Sequence, residues 1–579
     1  MQDKKNINTA FVISLLFCFF LGGIFFKLNF WKHAEPMTLG DLYFYQGLAI
    51  AFENRDWAHF WHFHFYPAYP VLIAWFHKIF SLDFVSSARW INIIFDGLSV
   101  FPVYLIAREI YGNRTAIFSA LFWSFCWPYF RVYGDPEPVY AFFVFVSLYL
   151  VLKKELTWKN YLAATALTAF SGLIKSEATF FVGLVFILYF FKSRERLRAK
   201  ILMAGAGVLI YLAFTSPIWI KYYQATGEFN PNPKSKTLYF IHNPVVDYQL
   251  FLYGLREDEN GLYTNGQRIY IDGDKDALRT PLSSFARDNF KLLFFSYLGK
   301  FGFTFSKGLA IMVLRIFPGT FFLFLFYWAR RARDYQLQHE IWLWIWAVLF
   351  IAALSFFETW ERFCYPFFPV LVIISAKGLD RLVTFSETGY KKYFPDSPRQ
   401  YPASIAKWLL PGFFLSWFLF YNFWGVSHFK PEKEVAEQIN AKTKLAKNIK
   451  PTINSGAVVM CRGFPEPFSY FLDIPFWQMV IIPMADVEDV VRYAKLKNAD
   501  YFFIEEADLA RNPIVEPWLW GEVNDPSVKM LKHVPRELAA EYYPAAWYRF
   551  LKSKSGAENG NNQVPKKPEA PNQNQTPMQ

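Results

Sequence analysis

The segment from about Thr9 to Phe30 is apolar and long enough to cross a bilayer, which takes about 20 such residues. Similar runs recur near 88–106, 115–130, 138–152, 160–174, 178–191, 201–220, 308–328, 340–357, 363–379 and 404–424. A chain built this way is expected to be a multi-span α-helical membrane protein with about eleven transmembrane helices. Its composition agrees. The 579 residues include 67 Phe, 34 Tyr and 21 Trp, and aromatic rings favour membrane interfaces. The mean hydropathy is only +0.14, so long polar segments must dilute the spans.

The net charge of +12 would suggest nucleic acid in a soluble protein. Here the Lys and Arg residues crowd into the short loops Arg108–Arg114, Lys153–Lys159, Lys192–Lys200, Arg330–Arg333 and Lys377–Lys407. That is the positive-inside pattern, and topology explains the charge better than a nucleic-acid partner. It sets the N-terminus inside, and puts Asp41 and everything after Phe429 outside the cytoplasm. Lys4 and Lys5 precede the first apolar run, with no small-residue cleavage site after it, so it reads as an uncleaved span. The expected location is the inner (plasma) membrane, multi-pass, with a periplasmic C-terminal domain. The four cysteines have neither zinc nor disulfide-framework spacing.

Three outer segments are large. Residues 31–87 hold two amphipathic stretches, Asp41–Phe52 and Pro67–Phe80, suited to lying on the membrane surface. Residues 221–307 read as a polar loop followed by an aromatic stretch. Residues 428–552 read as a small extracytoplasmic α/β domain: a helix over 432–448, strands at 457–460, 479–482 and 501–504, and a helix over 487–496. This order predicts a parallel sheet. It has no glycine-rich phosphate loop. The chain thus divides into a membrane module over 1–427, this domain, and a disordered tail over 553–579, rich in Asn, Gln, Pro and Lys.

Charges at the outer ends of the spans are the candidate chemistry. Asp41, just past the first span, is either a general base or one half of a Thr38-x-x-Asp41 helix cap. Asp135 and Glu137, at the mouth of a later span, suit a divalent cation or sugar hydroxyls, or a helix N-terminus. Lys175-Ser176-Glu177 is either a phosphate contact with a structuring partner or an interfacial ion pair. Arg362 can grip a phosphate with its planar fork, or be neutralised by Glu361. His59-x-x-His62-x-His64 is a weaker candidate for zinc, since Phe and Trp crowd it. Asp272-Gly273-Asp274-Lys275-Asp276 opens like a calcium loop but lacks its later ligands.

Taken in order, these pieces resemble one family. Gly40-Asp41, Tyr66-Pro67-Ala68-Tyr69-Pro70, Ala88-Arg89-Trp90-Ile91-Asn92, Gly134-Asp135-Pro136-Glu137, Leu173-Ile174-Lys175-Ser176-Glu177 and Arg362-Phe363-Cys364-Tyr365-Pro366 are similar to motifs of the GT-C membrane glycosyltransferases. The branch is that of bacterial protein O-mannosyltransferases and lipid A aminoarabinose transferases. The resemblance implies an inverting enzyme with a polyprenyl-phosphate sugar donor and a lipid, glycan or protein acceptor, working among membrane lipids. Asp41 would be the base. Lys175 and Arg362 would hold the leaving phosphate, and Tyr66, Asp135, Glu137, Glu177 and Tyr365 would complete the substrate site. The family's usual Thr-Arg-Pro-Glu is here Ile174-Lys175-Ser176-Glu177. Its single second-loop acid is here the pair Asp135 and Glu137, a candidate divalent-cation site. A surface-polysaccharide polymerase or ligase and a lipid-linked sugar flippase are the competing readings.

Overall fold

A computed structural model describes residues 9–34, 41–126, 134–227, 229, 247–258, 261–272, 287, 290–311, 317–329, 337–355, 365–393, 400–428, 437, 443–461, 472, 474–509, 512–523, 525–533 and 545–551. The first half is a run of helices: α1 Thr9–Ala34, α2 Asp41–Glu53, α3 Trp57–Phe60, α4 Ala68–Phe80, α5 Phe84–Leu98, α6 Val100–Tyr111, α7 Asn113–Phe125, α8 Glu137–Leu152, α9 Trp158–Ile174, α10 Thr179–Lys192 and α11 Leu197–Thr226. Helices Phe290–Ile311, Gly319–Ala329, Leu337–Ser355, Phe368–Tyr393 and Gln400–His428 follow. Local caps start several of them. Asp83 accepts from Ser86 N at 2.8 Å before α5, and Thr157 accepts from Asn160 N at 3.3 Å before α9. Each satisfies an N–H that a helix start leaves unpaired.

By length and composition, four described segments can cross a membrane: Thr9–Lys32, Phe84–Tyr111, Leu197–Ala225 and Trp408–His428. Glu137–Leu152, Gly319–Trp328 and Glu340–Ala352 are apolar but shorter. The outward face of α1 carries Phe11, Ile13, Phe17, Leu21 and Phe25. Such a face suits lipid and would be costly in water. On α4, Tyr69, Pro70, Ile73 and Ala74 are buried while Trp75, Ile79 and Phe80 point outward, the two-sided pattern of an interfacial helix. Part of the aromatic stretch expected in the loop over 221–307 is instead helical. Helix Phe290–Ile311 packs on Leu337–Ser355, with Tyr297 Oη donating to Ala352 O at 3.2 Å.

The C-terminal domain has a mixed sheet, not the parallel one expected. Strands β3 (Val459–Cys461), β4 (Met479–Ile481) and β5 (Tyr501–Glu505) are the parallel part, and they fall where strands were predicted. Strands β6 (Val528–His533) and β7 (Ala545–Phe550) add antiparallel pairs, giving the order β4-β3-β5-β7-β6. Their pairing is non-local, and no strand was read there. The domain also takes in part of the second outer segment. Its hairpin, β1 (Arg256–Asp258) with β2 (Gly261–Tyr263), puts Leu262 into a core with Val490, Val491, Phe502 and Trp518. Gln267 then does a strand's work along edge strand β4. Its Oε1 accepts from Ile481 N at 2.8 Å, and its Nε2 donates to Met479 O at 3.4 Å. A covered edge cannot recruit another chain.

Candidate active site

Asp41 lies in the first described turn of α2, where a negative charge is favoured by the helix dipole. Thr38, the other half of the expected cap, lies outside the described residues. The turn before α8 is fastened to the same end of the bundle. Tyr69 Oη of α4 donates to Gly134 O at 2.6 Å, with Asn92 Oδ1 of α5 3.0 Å away. Asn92 Nδ2 donates to Asp135 O at 2.6 Å. Gly134 is required twice. Its φ is +97°, a region side chains resist, and a Cβ there would come within 2.8 Å of Leu42 Cδ2. A bare glycine thus lets the Asp135 turn rest on the residue next to Asp41.

Asp135, Glu137 and Lys175 are all buried. Lys175 Nζ pairs with Glu137 Oε1 and sits 5.7 Å from the Tyr140 ring centroid. A charge held this deep needs such a partner. Glu177 stands in the short 3-10 turn between α9 and α10, with Ser176 Oγ donating to its Oε2 at 3.2 Å. Tyr45 marks where these groups converge. Burial first, then the charges of Asp41, Glu137, Glu177 and Asp135, push its phenol well above the ordinary range. Four carboxylates from three turns therefore act on one tyrosine, which is edge-on to Phe65 and Tyr69. Tyr66 joins them: burial, then Tyr211 and Glu177, push it upward.

The sequence reading missed Tyr45, although its place one turn after Asp41 was available from helical spacing. It quoted Asn92 and Tyr69 without roles. Tyr365 belongs to a separate buried cluster. Its hydroxyl donates to Asp96 Oδ1, while Asp96 Oδ2 pairs with Lys27 Nζ at 2.7 Å, both side chains fully buried. Arg362, Glu361 and residues 273–276 lie outside the described residues.

The histidines have structural work. His62 Nδ1 accepts from His64 N (3.1 Å) and Phe65 N (3.2 Å), so its Nε2 carries the proton and donates to Tyr270 O at 3.2 Å. Neither nitrogen is left for zinc. His59 bonds Asp56 at 2.7 Å and stacks on Trp477. Among the described residues, no group of three or more His, Cys, Asp or Glu side chains is placed to hold a metal ion. At Glu137 the positive charge is supplied by Lys175.

Residues 66–220 match the family described as dolichyl-phosphate-mannose-protein mannosyltransferase. No curated protein matches the sequence. Among solved structures, ArnT from Cupriavidus metallidurans bound to undecaprenyl phosphate aligns at 14% identity with a TM-score of 0.52, over 95% of this chain and 100% of that one. The archaeal oligosaccharyltransferase AglB from Archaeoglobus fulgidus, in complex with an inhibitory peptide and a dolichol-phosphate, aligns at 13% identity with a TM-score of 0.50, over 91% and 80%. The same organism's oligosaccharyltransferase tethered to an acceptor peptide aligns at 12% with a TM-score of 0.53, over 92% and 81%. The chain has the GT-C fold. The family match takes in Tyr66, Asp135, Glu137, Lys175 and Glu177 but not Asp41.

The arrangement suits chemistry in which a proton is removed and a negative charge develops. Carboxylates at a helix start can take a proton or hold hydroxyls, and a buried cation can stabilise an anion.

Proposed function

We propose that this protein is an inverting glycosyltransferase that moves a sugar from a polyprenyl-phosphate donor to the hydroxyl of a lipid, glycan or protein acceptor. The site lies on the extracytoplasmic face of the inner (plasma) membrane. The observation that carries the reading is that Asp41, Asp135, Glu137 and Glu177 all act on Tyr45, with Lys175 paired to Glu137, at one end of a GT-C bundle. The positive-inside loops put that end outside the cytoplasm. Support also comes from the similar structures, AglB in complex with a dolichol-phosphate and ArnT bound to undecaprenyl phosphate.

In this mechanism Asp41 takes the proton of the acceptor hydroxyl. The oxygen attacks the anomeric carbon from the side opposite the phosphate. The old carbon–oxygen bond breaks, and its electron pair leaves with polyprenyl phosphate. Lys175, and by sequence Arg362, offset the charge gained by the leaving group. Prepositioned cations in a dry site are worth several kcal/mol at this step. Asp135, Glu177 and Tyr66 orient sugar or acceptor hydroxyls. Glu137 holds Lys175 in place. No step is assigned to a metal ion.

Asp41→Asn tests the reading. The variant keeps the shape of the side chain but cannot take the proton, so transfer from lipid-linked sugar should fall by about 10²–10⁴-fold with normal membrane insertion. The readout is mass spectrometry of lipid-linked sugars and surface glycans in a strain carrying only the variant. Wild-type glycans there would sink the mechanism. A chelator should leave turnover unchanged, because Lys175 already supplies the charge at Glu137; strong inhibition would restore the cation site at Asp135 and Glu137.

A further inference from the structure

The helix that carries Asp41 is gripped on its other side by the C-terminal domain, far away in sequence. Phe476 fills the notch at Gly47, where a Cβ would come within 2.6 Å of the Phe476 ring. The same ring packs 5.6 Å from Phe44 and edge-on to His62 at 5.5 Å. Tyr43 Oη donates to Ile474 O across the same contact. Trp477 stacks on His59 at 4.6 Å and 19°, tying down α3, the short helix that follows α2. Phe476 and Trp477 lead straight into β4, whose edge Gln267 holds. The wedge is therefore built on a sheet, not on a free loop.

We infer that the extracytoplasmic domain is the positioning element for α2: Phe476 in the Gly47 notch and the Tyr43–Ile474 bond hold Asp41 in its working place. The kinetic part of this inference rests on the glycosyltransferase reading above. Geometry sets the scale. Asp41 is six residues before Gly47, about 9 Å along a helix axis. A tilt of about 6° at the notch then moves the carboxylate by about 1 Å, a misplacement that can cost about 10²-fold in rate. Asp41 and Tyr45, one turn apart, share the face toward the acidic groups, while Tyr43, Phe44 and Gly47 meet the domain. Loosening the second face shifts the first without touching substrate. Phe476 and Tyr43 are positioning residues in this sense.

The test uses the full-length protein in lipid nanodiscs, with Phe476→Ala, Phe476→Leu and Tyr43→Phe. Deuterium exchange of the α2 amides is read beside exchange of β5, which reports whether the domain stays folded. Turnover is the release of polyprenyl phosphate from a lipid-linked sugar extract of a strain lacking the protein. Phe476→Ala should speed α2 exchange and lower kcat by about 10–100-fold at unchanged apparent KM. Phe476→Leu should restore most of both. Tyr43→Phe, which removes one hydroxyl and cannot unfold the domain, should speed α2 exchange by about fivefold. Unchanged α2 exchange in Tyr43→Phe and in folded Phe476→Ala overturns the inference. So does faster α2 exchange with normal turnover, provided Asp41→Asn is inactive. An active Asp41→Asn would instead defeat the glycosyltransferase mechanism, and exchange alone would still decide whether the domain holds α2.

Discussion

Gly134→Ala adds a single methyl group and should reach the site through the backbone. The residue sits at φ +97°, where a side chain costs roughly 1–3 kcal/mol. Its Cβ would stand 2.8 Å from Leu42 Cδ2 and 3.4 Å from Ala88 Cβ. Leu42 is buried and has little room to yield, so the overlap adds roughly 1–3 kcal/mol. The sum is roughly 2–6 kcal/mol. Only the overlap can be relieved by shortening Leu42. Leu42→Ala alone leaves a cavity costing roughly 2–5 kcal/mol. The double variant should then be more stable than the sum of the singles by roughly 1–3 kcal/mol, since each change answers the other. Because Leu42 follows Asp41, turnover of Gly134→Ala should also fall by about tenfold or more. Denaturant titration of the four proteins in detergent, with transfer assays beside it, measures both quantities. Strict additivity, or a Gly134→Ala protein as stable and active as the parent, would refute the packing argument.

Two further outcomes follow from buried or paired charges. Asp96→Leu leaves Lys27 buried without its carboxylate and should cost about 3–5 kcal/mol, while Lys27→Met with Asp96→Leu should recover most of the loss; detergent unfolding of the three proteins reads this, and a double variant no better than the single would count against it. At the surface of the first outer loop, burial raises the Asp56 carboxyl, but bonding and charge from His59 and nearby backbone N–H groups outweigh it and hold the group below its usual 3.8. A depressed carboxylate stabilises above its unfolded pKa, and that contribution is lost as pH falls through the lower folded value. Asp56→Asn should therefore flatten the stability profile below about pH 4 and lower it by a constant amount near neutrality, where the paired carboxylate contributes fully; an unchanged acid limb would remove the pair from the account.

The sequence grouped the candidate residues together and said little of their wiring. Apolar length marked the helices, and the spread of Lys and Arg among the loops led to the expectation that Asp41, Asp135 and Lys175 share one end. Nothing local said that Glu137 takes Lys175 as its partner, that Tyr45 stands among four carboxylates, or that Tyr365 turns to Asp96. The two strands that make the sheet mixed were missed for a related reason. β7 is specified by its pairing with β5, and β6 by its pairing with β7, more than by their own pattern.

By itself, then, the sequence determined a many-helix membrane chain and a set of charged turns between its helices. Transfer into a bilayer is close to additive along a segment, so it can be read residue by residue. Tertiary structure alone decided that the C-terminal domain is assembled from two separate stretches and closes on the helix bearing Asp41. Those contacts join residues as far apart as Tyr43 and Ile474. Their strength lies in complementary shape at one place, such as a ring fitting a glycine notch, and neither partner carries that shape in its own neighbourhood of the chain.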